Sequence, residues 1–216
     1  GDNGASMEGT TTGSFNEMTM LNGVVLEADV QTKLIEQYGG LEALGSEHTA
    51  PHFAASWAHA NNTPFQFGKQ MASHLGGTRN PMVIAWPSRI KPDKQVRSQF
   101  THVNDVGPTV LELAGIPEPK IVDGIEQEPM HGTSFRPSLT EDTAPEHHTQ
   151  QYFETIGNRA MYKDGWWLSM RTARIPWVVT PQAIAPYAPG VWDPDQDPTE
   201  LYYLPDDFSQ AHDLAA

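Results

Sequence analysis

The chain has 216 residues, enough for one domain with a real core. Its 27 Asp and Glu outnumber 13 Lys and Arg, for a net charge of −14, which argues strongly against a nucleic-acid footprint and disfavours an anionic membrane surface, since both need clustered cations. No cysteine is present, so disulfides and thiolate metal sites are excluded, and the longest apolar run, Met82 to Trp86, is far too short to span a bilayer.

Glycine and proline number 18 each, which predicts many loops around a modest core. Gly1-Asp2-Asn3-Gly4 reads as a Gly-flanked turn presenting hard oxygen donors, the kind a divalent cation such as Ca²⁺ prefers. No apolar strand precedes that turn, so the chain reads as a piece of something larger, and no signal segment is visible to set its compartment. Residues 1–25 read as a loop. Val30, Leu34, Ile35 and Tyr38 fall at helical spacing over 28–38, and Gly39-Gly40 closes that helix. Residues 45–63 read as an irregular active-site loop anchored by Trp57, and 66–74 as a short helix carrying Lys69. Phe65 and Phe67 stand just before that lysine, where they either line a leaving-group pocket or pack the base of the loop.

Met82 to Trp86, stopped by Pro87, reads as a strand buried on both faces. Asn104 or Asp105 caps a helix through Val106, Pro108, Val110, Leu111 and Leu113, closed by Gly115 and Pro117. The segment 118–150 reads as a surface linker. Beyond it, Gln151 to Glu154, Arg159 to Lys163, Trp166 to Arg171 and Leu201 to Leu204 read as short strands. Lys163-Asp164-Gly165 is the hairpin signal between two of them. Adjacent in a strand, Trp166 and Trp167 must point to opposite faces. No histidine pair has the spacing of a zinc site on a helix or strand.

Three stretches occur in a telling order: Gly1-Asp2-Asn3-Gly4; Lys69 with Gly76-Gly77-Thr78-Arg79-Asn80-Pro81; and His102-Val103-Asn104-Asp105-Val106-Gly107-Pro108-Thr109. In that order the chain resembles the type I, formylglycine-dependent sulfatases of the alkaline-phosphatase-like superfamily, bacterial arylsulfatases in particular. Arg159-Ala160 with Gly165-Trp166, and the ending from Leu201, also resemble that family's C-terminal subdomain. The resemblance implies an α/β region, the C-terminal part of an alkaline-phosphatase-like sheet, over 1–117. It adds the linker over 118–150 and a small antiparallel subdomain over 151–216, an α+β arrangement.

For the site, the resemblance implies Asp2 and Asn3 as two calcium ligands and Lys69 as the catalytic contact to a sulfate oxygen. His59 and His74, near Lys69 in sequence, are further candidates for substrate contact. The family's formylglycine arises from a Cys/Ser-x-Pro-x-Arg motif that these residues lack, as they lack the family's paired aspartates and its further Lys and His. The chain is therefore expected to be inactive alone, as one part of a sulfuric ester hydrolase acting on a small sulfate ester. A phosphonate monoester hydrolase or phosphodiesterase of the same superfamily is the alternative enzyme, and a C-terminal interaction module the non-catalytic one.

Overall fold

A computed structural model of the chain describes residues 3–92, 95–172, 185–187 and 190–215. Five helices are described: α1 (Glu17–Leu21), α2 (Ala28–Gln37), α3 (Ala55–Asn62), α4 (Leu75–Thr78) and α5 (Val106–Ala114). Two strands, β1 (Ile121–Val122) and β2 (Ile125–Glu126), form a small antiparallel ribbon. Four more, β3 (Gln150–Thr155), β4 (Asn158–Lys163), β5 (Trp166–Met170) and β6 (Thr199–Tyr203), make one sheet in the order β3-β4-β5-β6. Helices plus antiparallel sheets make the chain α+β, consistent with the C-terminal region of an alkaline-phosphatase-like fold.

The larger sheet is a meander, and local turn chemistry explains it. Asp164 and Gly165 take φ of 48° and 86°, and Ile156 and Gly157 take 53° and 82°, the left-handed pairs that a two-residue hairpin needs. β5 and β6 run antiparallel, with Trp167 opposite Tyr202 and Trp166 opposite Tyr203. Alternation then sorts the side chains: Trp167, Ser169 and Tyr202 are buried, while Trp166 is 44% exposed.

The chain divides into two compact units. The first comprises residues 1–82, 152–161 and 165–216. Its core gathers Met7, Phe15, Met20, Ala58, Met71, Leu75, Trp167 and Tyr202. α1 is capped by Asn16, whose side chain accepts from Met18 N at 3.0 Å. α2 docks through a polar residue, not an apolar stripe: buried Gln31 accepts from Phe15 N at 3.0 Å and donates to the carbonyls of Gly13 and Leu26.

The second unit comprises residues 83–151 and 162–164, and Asp105 is its hub. Fully buried, Asp105 accepts from His102 N, Thr133 N and His148 Nδ1, each at 2.7 Å. Thr109 Oγ1 donates to the Asp105 carbonyl and accepts from Phe135 N, which fastens α5 to the segment behind it. Gly115 ends α5 in the left-handed region, with φ of 70°.

Four expectations need correcting. Residues 1–25 are not loop throughout, since α1 occupies Glu17–Leu21 under the Asn16 cap. Met82 to Trp86 forms no strand; Val83 is 94% exposed and Met82 49%, because no described strand lies alongside to satisfy its backbone. Lys69 lies on turns rather than on a helix, since Phe67 and Gln70 take φ of 61° and 73°, values no helix contains. The stretch 45–63 is not irregular throughout, because α3 occupies its second half, and Trp57 on that helix is 68% exposed and anchors nothing.

Candidate active site

Asp2 lies outside the described residues; Asn3 and Lys69 are described, and the backbone brings their neighbourhoods together. Lys69 N donates to Ala5 O at 3.1 Å. Gly4 N donates to Asn80 Oδ1 at 2.9 Å, and Ala5 N to Asn62 Oδ1 at 3.0 Å. Asn62 also donates to Phe67 O at 3.0 Å, so one amide side chain ties the opening turn to the lysine loop. Contact is so close that only glycine fits at position 4. Its φ is 82°, and a Cβ there would collide with the Gly76 carbonyl and crowd Lys69 N.

The lysine loop is held from behind by the sheet. The Ser73 carbonyl accepts two hydrogen bonds from β5, from Trp167 Nε1 at 2.9 Å and Ser169 Oγ at 2.8 Å. Leu75 N donates to Gln210 Oε1 at 2.8 Å, and Gln66 Nε2 donates to the Gln210 carbonyl. Phe65 packs on Phe208, with the Arg79 guanidinium 4.2 Å from the Phe208 ring. Phe65 and Phe67 thus pack the base of the loop, Phe67 against His74 and Arg171.

Lys69 Nζ, about one-third exposed, donates to Glu8 Oε2 at 3.0 Å. Glu8 also accepts from Ser6 Oγ at 2.6 Å and from Gln70 Nε2. His52 Nε2 lies 2.8 Å from Ser6 Oγ. The hydroxyl proton is committed to the carboxylate, which cannot donate, so His52 Nε2–H donates to Ser6. Burial would raise the Glu8 carboxyl, but hydrogen bonds from Ser6 and Lys69, with the charges of Lys69 and His52, outweigh it and hold Glu8 below its ordinary value.

The two histidine candidates are placed very differently. His59 lies exposed on the last turn of α3. His74 is 1% exposed, with Nδ1 2.9 Å from Ser73 Oγ and Nε2 3.0 Å from Glu200 Oε2. Burial pulls His74 down to about 4, and the Arg171 charge adds to that, while Glu200 opposes it. At neutral pH the imidazole is therefore uncharged, donating from Nε2 to Glu200 and accepting from Ser73. Neither ring nitrogen is left for a substrate.

Among the described residues no group of three His, Asp or Glu could hold a metal ion. Asn3 could offer at most one side-chain amide oxygen, where Ca²⁺ takes six to eight oxygen ligands. Glu8, five positions on, is occupied by its three donors. The described residues alone therefore do not form a calcium site.

The sulfatase family model matches residues 1–116. That is more than half of the chain. The chain belongs to the sulfatase family. A second model, the C-terminal region of N-sulphoglucosamine sulphohydrolase, matches residues 67–214, so the two together reach from the opening turn past β6. An uncharacterized sulfatase of Schizosaccharomyces pombe is 38% identical over 101 residues, 45% of this chain and 18% of that protein. N-acetylgalactosamine-6-sulfatase of Sus scrofa is 36% identical over 83 residues, 38% of this chain and 16% of that protein. The matches to this sulfatase chain thus span less than a fifth of either relative.

Glu8 and His52 were not singled out from sequence. One signal was present: apart from Asp2, Glu8 is the first acidic residue in a stretch of Gly, Ser and Thr. Nothing in the sequence pairs it with a lysine 61 positions later.

Proposed function

We propose that this sulfatase chain supplies one part of a sulfuric-ester hydrolase site, within a polypeptide that also carries a Cys/Ser-x-Pro-x-Arg segment. The observation that supports it is the bond from Lys69 N to Ala5 O, which puts the lysine loop two residues from the Asp2-Asn3 pair. Lys69 holds an oxygen of the bound sulfate group and steadies the charge that gathers on the bridging oxygen as the ester breaks. Its ammonium is a compact point charge with three donors. Among the described residues Glu8 takes one, so two remain to face an oxyanion. The sheet's grip on Ser73 fixes the loop, so the ammonium meets its ligand with little freedom to lose.

Asp2 and Asn3 serve as two of the ligands of a calcium ion, whose remaining ligands come from elsewhere in the polypeptide. When bound, calcium supplies positive charge to the sulfuryl oxygens. The substrate is a small sulfate ester.

Replacing Lys69 by Ala in that longer polypeptide should lower kcat/KM for p-nitrophenyl sulfate by about 100-fold or more, in protein that still melts cooperatively. Undiminished hydrolysis would refute the role. The 216-residue chain alone should show no turnover of the same substrate. Phosphodiester or phosphonate monoester hydrolysis exceeding sulfate hydrolysis in the longer polypeptide would instead favour a phosphorus-ester enzyme of the same superfamily.

A further inference from the structure

We propose that Glu8 sets the net charge an oxyanion meets at Lys69, and so makes this position favour a singly charged sulfate ester over a doubly charged phosphate monoester. The inference rests on the role proposed above for Lys69 and deepens it into a preference between ligands.

Glu8 is built in as an anion. Three side chains donate to its carboxylate, namely Ser6, Lys69 and Gln70, and its own side chain is only 19% exposed. His52, itself one-tenth exposed, braces Ser6 from behind. Gln70 reaches Glu8 from a left-handed backbone with φ of 73°, a conformation that glutamine enters only where its surroundings hold it. This arrangement fixes a negative charge 3.0 Å from the ammonium.

The ligand therefore meets a lysine whose charge is already balanced. An ester of sulfate carries one negative charge at any ordinary pH. A phosphate monoester carries close to two once its second proton leaves, at about pH 6. Repulsion from Glu8 grows in proportion to the ligand's charge, and the partial burial of the pair limits how far solvent screens it. The carboxylate thus acts as the repulsive element of a discriminating site.

The test compares p-nitrophenyl sulfate with p-nitrophenyl phosphate at pH 8 in the polypeptide that joins this chain to the nucleophile segment. The readout is the ratio of the two kcat/KM values, which does not depend on the fraction of active protein. Glu8→Gln keeps the shape and removes the charge, and it should shift that ratio toward phosphate by about fivefold or more. Glu8→Asp, which keeps the charge, should stay closer to wild type than Glu8→Gln does. Should Glu8→Gln fail to fold, Glu8→Met reads the same ratio. A smaller shift, with Lys69→Met abolishing both reactions, overturns the role of Glu8 and leaves that of Lys69 standing. Full sulfate hydrolysis by Lys69→Met overturns both.

Discussion

At the scale of single residues, the site depends on backbone approach as much as on side-chain chemistry. Gly4 and Gly115 make the point by contrast, since both lie at positive φ. A Cβ on Gly115 would meet nothing within 4 Å, whereas one on Gly4 would run into the Gly76 carbonyl. Gly115→Ala should therefore cost only backbone strain, about 1 kcal/mol. Gly4→Ala should cost about 2 kcal/mol or more, because the opposing atom is backbone and cannot turn aside. Paired urea melts would show whether that order holds. His74 carries a separate expectation. Its pKa of about 4 in the folded protein lies below 6.5 when unfolded, so between those values the unfolded chain binds the extra proton. Stability from this group is complete above pH 6.5 and declines as pH falls toward 4, by about 3 kcal/mol at most. His74→Gln should flatten that part of the stability–pH profile. Motif order singles out Asn3 and Lys69 in the sequence as candidates, and their proposed roles await the Lys69 substitution above. The Glu8–Lys69 pair was not legible there, because a contact across 61 positions leaves no local trace.

At the scale of elements, what the sequence reveals divides by how local the deciding physics is. α2, α5 and the β4–β5 hairpin were readable because spacing, a terminal glycine and Asp164-Gly165 act within a few residues. The second hairpin was hidden, since Ile156 takes φ of 53° although a β-branched residue gives no turn signal there. Met82 to Trp86 has the composition of a buried strand, but a strand exists only through its neighbours, and none is described beside it. The lysine loop looked helical for a similar reason. Its shape comes from Ser73, Gln66 and Leu75 being held by β5 and Gln210, partners that lie more than 90 positions away. Even the apolar spacing of α2 misled in part, because the residue it buries is Gln31.

At the scale of the whole molecule, many large apolar side chains of the described residues stand exposed. Within the second unit alone, Val83, Val96, Val103, Val110, Ile121 and Ile125 are all more than half exposed. So many large apolar side chains left in water offer binding places for an apolar dye. The isolated chain should therefore bind 8-anilinonaphthalene-1-sulfonate under native conditions and melt at low temperature. A dye-silent, sharply melting monomer would show that these side chains are covered. The tail has a different importance. Gln210 is buried in a left-handed conformation with φ of 60°, and it receives Gln66 and Leu75 from flanks of the lysine loop. Removing Gln210 would leave every residue of the proposed anion contact in place, yet take away the partner of both flanks of the Lys69 loop. The loop that carries Lys69 thus takes its shape from a glutamine more than 130 positions further along the chain.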